Sequence, residues 1–169
     1  MSSTHVYPFA DPDNALAADL DTVGGKGLAL ASMTAAGFPV PAGFTVTTAA
    51  YRQFVSDNGL QEAIIDGAKP ELVGTAVSFD SASQQIQALF AKSELSAALK
   101  AQIAEAYAAF GGGESPVAVR SSANAEDLPD LSFAGQQDTY LNIRGRDAVY
   151  AAVRDCWASL WTARALSYR

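Results

Sequence analysis

The feature that most constrains the fold is an uninterrupted apolar stripe in the middle of the chain. Leu95, Leu99, Ile103, Ala106, Tyr107 and Phe110 recur at i, i+4, i+8, i+11, i+12 and i+15, the period of one helical face turned to a core. Gly111-Gly112-Gly113 ends that helix and Pro116 opens the next segment, because glycine loses the most freedom in a helix and proline cannot continue one. Ile86, Leu89 and Phe90, at helical spacing after a Ser/Asp-rich start, predict a second helix packed beside it. No polar residue interrupts the stripe, so it reads as core and not as a cofactor box.

Around these helices the sequence alternates between helical and strand signals. Residues 26–36, KGLALASMTAA, are small or apolar throughout and stop at Gly37, which predicts a buried helix with a glycine-rich entrance and a left-handed residue just past its end. The two prolines of FPVPAGFTVTT exclude helix, and Phe44, Val46 and the neighbouring threonines predict a short strand. Residues 49–57 predict a helix with Tyr51, Phe54 and Val55 on one face, stopped at Asn58-Gly59. Strands are expected at 117–121 and 138–143, the second with Tyr140 and Asn142 on one face and Leu141 and Ile143 on the other. Residues 146–169 predict one long amphipathic helix running to the last residue, so the chain reads as cut within a helix. Residues 1–22 read as an irregular lead-in with a short helical turn around 14–20. This mixture predicts an α+β fold with helices packed on a small mixed sheet.

Composition narrows the chemistry. A chain of 169 residues with 49% hydrophobic and 17% charged residues suits one globular domain or part of a larger one. A net charge of −7 disfavours a non-specific nucleic-acid binder. One cysteine, Cys156, forms no internal disulfide, and with the one histidine, His5, it gives a zinc site too few ligands. His5, near the N-terminus, is expected to be a solvated side chain, and Ser-His-Asp or Cys-His schemes lack their base. No apolar run reaches the roughly 18 residues of a bilayer span, and the N-terminus has no secretory pattern. A cytoplasmic protein is the expectation. Its chemistry falls to lysine, arginine, carboxylates and backbone amides.

Two clusters meet that description. VGGKG at 23–27 stands at a helix entrance, where glycines admit a ligand to the backbone, the helix terminus is partly positive, and Lys26 adds a full charge. It is not a P-loop, since Leu20 and Gly27 occupy positions that the motif reserves for Gly and for Ser or Thr. Taken alone, a tight turn with a solvated lysine is the better reading. In the second cluster, Arg120 at the end of an apolar strand predicts a buried guanidinium that needs an anion, either a phosphate or an internal partner among Glu126, Asp127 and Asp130. Spacing leaves those two even. Beyond it, Gly135 sits in a small polar loop suited to lying over phosphates, and Thr139 offers a hydroxyl. Two cationic clusters in an acidic chain point to a local anion pocket.

The wording of these segments is more specific than their spacing. VGGKG, PVPAGFTVTTAAYRQF, VAVRSSANAEDLPDLSFAGQQDTYLNI and CWASLWTARALSYR, in that order, resemble the N-terminal ATP-binding domain shared by phosphoenolpyruvate synthases, rifampin phosphotransferases and pyruvate phosphate dikinases. SFAGQQDTYLN is similar to the synthase and rifampin branches, and CWASLWTARALSYR leans to the latter. The resemblance implies the first lobe of an ATP-grasp domain over residues 1–169, with Lys26 and Arg120 on the ATP phosphates and Gly135 and Thr139 in the loop above them. It implies Mg2+ held by a second lobe, and phosphoryl transfer to the histidine of a swivelling domain and then to pyruvate or a rifamycin hydroxyl. The second lobe, the phosphohistidine domain and the acceptor domain are absent from these residues. No catalytic or metal-binding residue is expected in this chain, since Glu126, Asp127 and Asp130 read as solvated or arginine-paired. An isolated lobe is expected to be inactive and prone to self-association through its exposed lobe interface. The alternative is a non-catalytic interaction or anion-binding module derived from the same domain.

Overall fold

A computed structural model describes residues 4–10, 19–109, 113–122, 127–128, 131–132 and 139–168. The chain opens with a strand, β1 (Val6–Pro8), and then α1 (Leu20–Ala35), β2 (Phe44–Val46), α2 (Thr48–Asp57) and α3 (Leu60–Gly67). A hairpin of β3 (Glu71–Val73) and β4 (Ala76–Ser78) leads to α4 (Asp80–Lys92) and α5 (Ala97–Ala108). β5 (Val117–Arg120), the two-residue strands β6 (Asp127–Leu128) and β7 (Leu131–Ser132), and β8 (Thr139–Ile143) follow, before α6 (Arg146–Ala158) and α7 (Ala163–Tyr168). The fold is α+β. Among the described residues its strands form four antiparallel pairs, β1–β2, β3–β4, β5–β8 and β6–β7, in place of one mixed sheet.

The predicted stripe forms the centre as far as Tyr107, and Phe110 lies outside the described residues. Leu99, Ile103 and Tyr107 of α5 and Ile86 and Phe90 of α4 are buried in one cluster, and Leu95 is buried just ahead of α5. Apolar side chains at helical spacing pack this way because every contact removes surface from water. Phe54 of α2 closes the cluster, its ring centroid 5.7 Å from Phe90 and 5.1 Å from Trp157 of α6. Tyr107 adds a polar tie that an apolar residue would lack. Its buried hydroxyl donates to the Ser115 carbonyl at 2.7 Å and accepts from the Gly145 amide at 3.0 Å, joining α5 to the approaches of β5 and α6.

Helix starts follow local chemistry. Thr47 accepts from the Ala50 amide at the head of α2, and Ser96 from the Leu99 amide at the head of α5, each satisfying a donor that the first turn leaves unpaired. Gly37, with φ +79, takes the left-handed position expected beyond α1.

Several expectations are corrected. The lead-in contains β1, which pairs with β2, and the 14–18 part of the expected helical turn lies outside the described residues. Pairing of the N-terminal segment also orders His5, which is half-buried and not solvated: its amide donates to Gln102 Oε1 at 2.7 Å and its Nε2 lies 2.9 Å from Gln53 Oε1. α1 begins at Leu20 and only Val23, Gly24 and Gly27 of it are buried. The helix packs chiefly along α2 and β2, so its uniformly small and apolar composition does not make it a core helix. The middle of the chain adds α3, anchored by Leu60 and Ile64, and the β3–β4 hairpin. The last helix is broken: Ser159–Trp161 tighten into a 3-10 turn and Thr162 is extended (ψ 153) before α7 begins. Thr162 Oγ1 then accepts from the Ala165 amide at 3.2 Å, which makes it the N-cap of a new helix. Among the described residues no helix is long and apolar enough to cross a membrane.

Candidate functional site

The glycine cluster is a break within α1. Gly24 has φ 71 and ψ 172, outside the helical region, so the helix runs over 20–23, stops, and resumes over 25–35. Only glycine reaches that φ without strain. The site is also too close for a side chain, since a Cβ on Gly24 would lie well inside 3.0 Å of the Ser122 carbonyl. Gly25, Lys26 and Gly27 thereby become the first turn of a new helical run. Its amides are the positive end of a helix, where an anion is favoured.

Ser122 seals the break. Its Oγ accepts from the Gly27 amide at 2.9 Å and donates to the Val23 carbonyl at 2.7 Å. Val23 and Gly27 stand four residues apart, so their amide and carbonyl are the pair that an unbroken helix would join directly. The serine hydroxyl stands in for that lost bond.

This contact brings the two sequence clusters together. Lys26, half-buried, immediately precedes Gly27, and Arg120 at the end of β5 lies two residues before Ser122. Arg120 is paired across the β5–β8 ladder with Thr139, and both are exposed. Directly opposite residues on an antiparallel pair have Cβ atoms roughly 4.5–5.5 Å apart. A guanidinium and a hydroxyl thus share one patch of strand edge. The expectation of a buried guanidinium is corrected: burial alternates along β5, with Val117 and Val119 turned toward the core and Ala118 and Arg120 outward. No internal anion is therefore demanded, and among the described residues no ion pair holds Arg120.

The register that sets Thr139 beside Arg120 depends on a bulge. Val117 pairs with Ile143 but Val119 with Tyr140, so β8 carries one extra residue between them. Asn142, at φ 56, takes up the irregularity, as asparagine does more readily than other side chains. Strict alternation would have placed Tyr140 opposite Arg120. The bulge shifts the parity so that Ile143 and Tyr140 are both half-buried while Thr139 and Leu141 face outward.

Other expected residues fall elsewhere. Gly135, Glu126 and Asp130 lie outside the described residues, and Asp127 is the first residue of β6. Among the described residues no group of three or more His, Cys, Asp or Glu side chains is placed to hold a metal ion. The donors present, an ammonium, a guanidinium, a hydroxyl and helix-end amides, suit phosphate oxygens and not a cation. An open cleft of about 350 Å³, lined by Gln87, Ala91, Tyr140, Asp155 and Thr162 among others, has no cation among the described residues of its wall. Sequence reasoning found Lys26 and Arg120 through their charge and their glycine-rich or strand-end settings. It missed Ser122, visible only as the second serine of RSS.

Comparison with known proteins places the chain in a family. Residues 20–169 match the family model described as pyruvate phosphate dikinase, AMP/ATP-binding domain. A phosphoenolpyruvate synthase of Aeropyrum pernix is 48% identical over 162 residues, covering 89% of this chain and 19% of that protein. A probable phosphoenolpyruvate synthase of Methanothermobacter thermautotrophicus is 44% identical, covering 89% of this chain and 23% of that protein. The phosphoenolpyruvate synthase of Pseudomonas aeruginosa is 43% identical, with coverage of 89% and 20%. The chain spans about a fifth of the length of these relatives, and the stretch matched by the family model contains Gly24, Arg120 and Thr139. The chain therefore belongs to the family of pyruvate phosphate dikinase AMP/ATP-binding domains.

Proposed function

We propose that residues 1–169 are the first lobe of an ATP-grasp domain and that they hold the phosphates of ATP. The observation that carries this reading is the Ser122 bridge, which docks the Lys26 turn against the end of the strand bearing Arg120. Lys26 and Arg120 would neutralise phosphate charge, Thr139 would donate a hydroxyl hydrogen bond, and Gly135 would lie in the loop above. Phosphoryl transfer depends chiefly on positioning and charge neutralisation, so these groups act electrostatically and none becomes covalently attached.

Magnesium, when bound with the nucleotide, supplies further charge neutralisation. Its ligands are assigned to a second lobe beyond this chain, in keeping with the donor set at the site. The whole protein would be an ATP-dependent phosphotransferase that passes a phosphoryl group to a carrier histidine on a swivelling domain and from there to pyruvate or a rifamycin hydroxyl. The names of the relatives support the synthase branch. Exposed Leu20, Met33 and Phe38 on and beside α1 would be covered by the second lobe, or by a second copy when that lobe is missing.

Calorimetric titration of ATP with Mg2+ into this chain, and into its Lys26→Ala/Arg120→Ala double variant, tests the reading. Weak binding by the unaltered chain, lost in the double variant and without turnover, is expected. Binding that survives both substitutions would overturn the site assignment. Sulfate or inorganic phosphate binding as tightly as ATP would make the chain an anion-binding module instead.

A further inference from the structure

We propose that Ser122 is a positioning residue for the phosphate site, a reading that rests on the function proposed above. Its hydroxyl occupies the gap between the Val23 carbonyl and the Gly27 amide, donating to the carbonyl and accepting from the amide. The same residue's carbonyl faces Gly24 so closely that only glycine fits there. Ser122 thus touches both ends of the four-residue turn that contains Lys26. It is also two residues along the chain from Arg120, so this side chain ties the turn carrying one cation to the strand carrying the other.

Its two hydrogen bonds join these segments across 95 to 99 residues of separation. Without the hydroxyl, the Gly27 amide and the Val23 carbonyl each lose a partner. They recover it by closing toward a continuous helix, which the φ of Gly24 opposes, or by taking up water, which releases the turn from β5. In either case Lys26 moves relative to Arg120. The site then loses the spacing that lets both cations meet one polyphosphate, although every charged group is still present.

The test is a double-mutant cycle on this chain, read as ATP–Mg2+ affinity by calorimetry with thermal midpoints alongside. Ser122→Ala is expected to weaken ATP binding roughly 10-fold, in the range that loss of a hydrogen-bonded partner produces. In a Lys26→Gln background the same substitution is expected to change affinity less than 2-fold, because a group that acts by placing Lys26 has little left to act on. Ser122→Cys, close in size but with a weak donor and acceptor, carries the comparison if Ser122→Ala does not fold. Equal binding by the serine variants and the unaltered chain would overturn the inference and leave the nucleotide site intact. Equal losses in both backgrounds would also overturn it, assigning Ser122 a structural role alone. Absence of binding by the unaltered folded chain would remove the nucleotide reading and this inference with it.

Discussion

The helical body and the cationic end of this molecule are held by different forces. In the body, Ile86, Phe90, Ile103 and Tyr107 have no exposed surface at all, and Phe54, Phe90, Tyr51 and Trp157 form a chain of ring contacts with centroids 5.1–6.5 Å apart. At the other end Arg120 and Thr139 are exposed, Lys26 is half-buried, and the Ser122 hydroxyl bridges the glycine turn. Apolar burial is strong and indifferent to direction, whereas a hydroxyl bridge contributes little energy and a definite geometry. Stability and ligand geometry are therefore carried by separate residues.

The sharpest way to break that separation is to damage the body. Phe90→Ala removes a wholly buried ring from the contact with Phe54 and Tyr51, and a loss of about 3–5 kcal/mol is expected. Chemical denaturation measures it. A loss below about 1 kcal/mol would place the stability of the fold elsewhere.

The smallest effect lies on the surface of the body. The pKa of the Glu94 carboxyl is held below its ordinary value by a side-chain hydrogen bond from Lys100 and then by that residue's charge. A carboxyl whose folded value is lowered contributes stability above its unfolded value, and that contribution disappears as pH falls through the folded one. Glu94→Gln is expected to remove a slight part of the acid sensitivity and to leave the midpoint at neutral pH nearly unchanged, because the pair is exposed. Thermal melts across the acidic range measure this. A large loss at neutral pH would show that surface charge contributes to stability as the core does.

How much of this was legible in the sequence follows the same division. The stripe from Leu95 to Tyr107 announced α5 because periodicity is a local signal, and Gly37 announced the end of α1 because a single φ decides it. The apolar run of α1 was misleading, since composition alone does not say which neighbours a helix acquires. The bulge at Asn142 was hidden, because TYLNI alternates as well as any regular strand and its register is set by a partner strand distant in sequence. Lys26 and Arg120 were visible as cations in unusual settings. Ser122 was not, because its role exists only once β5 meets the glycine turn.

The central claim is that these two clusters form one phosphate-facing site, and amide chemical-shift mapping during titration with inorganic triphosphate tests it most directly. The amides of Gly24, Lys26, Gly27, Arg120 and Ser122 are expected to shift together along a single binding curve. Shifts confined to one cluster, or centred on the cleft beside Tyr140 and Asp155, would contradict it.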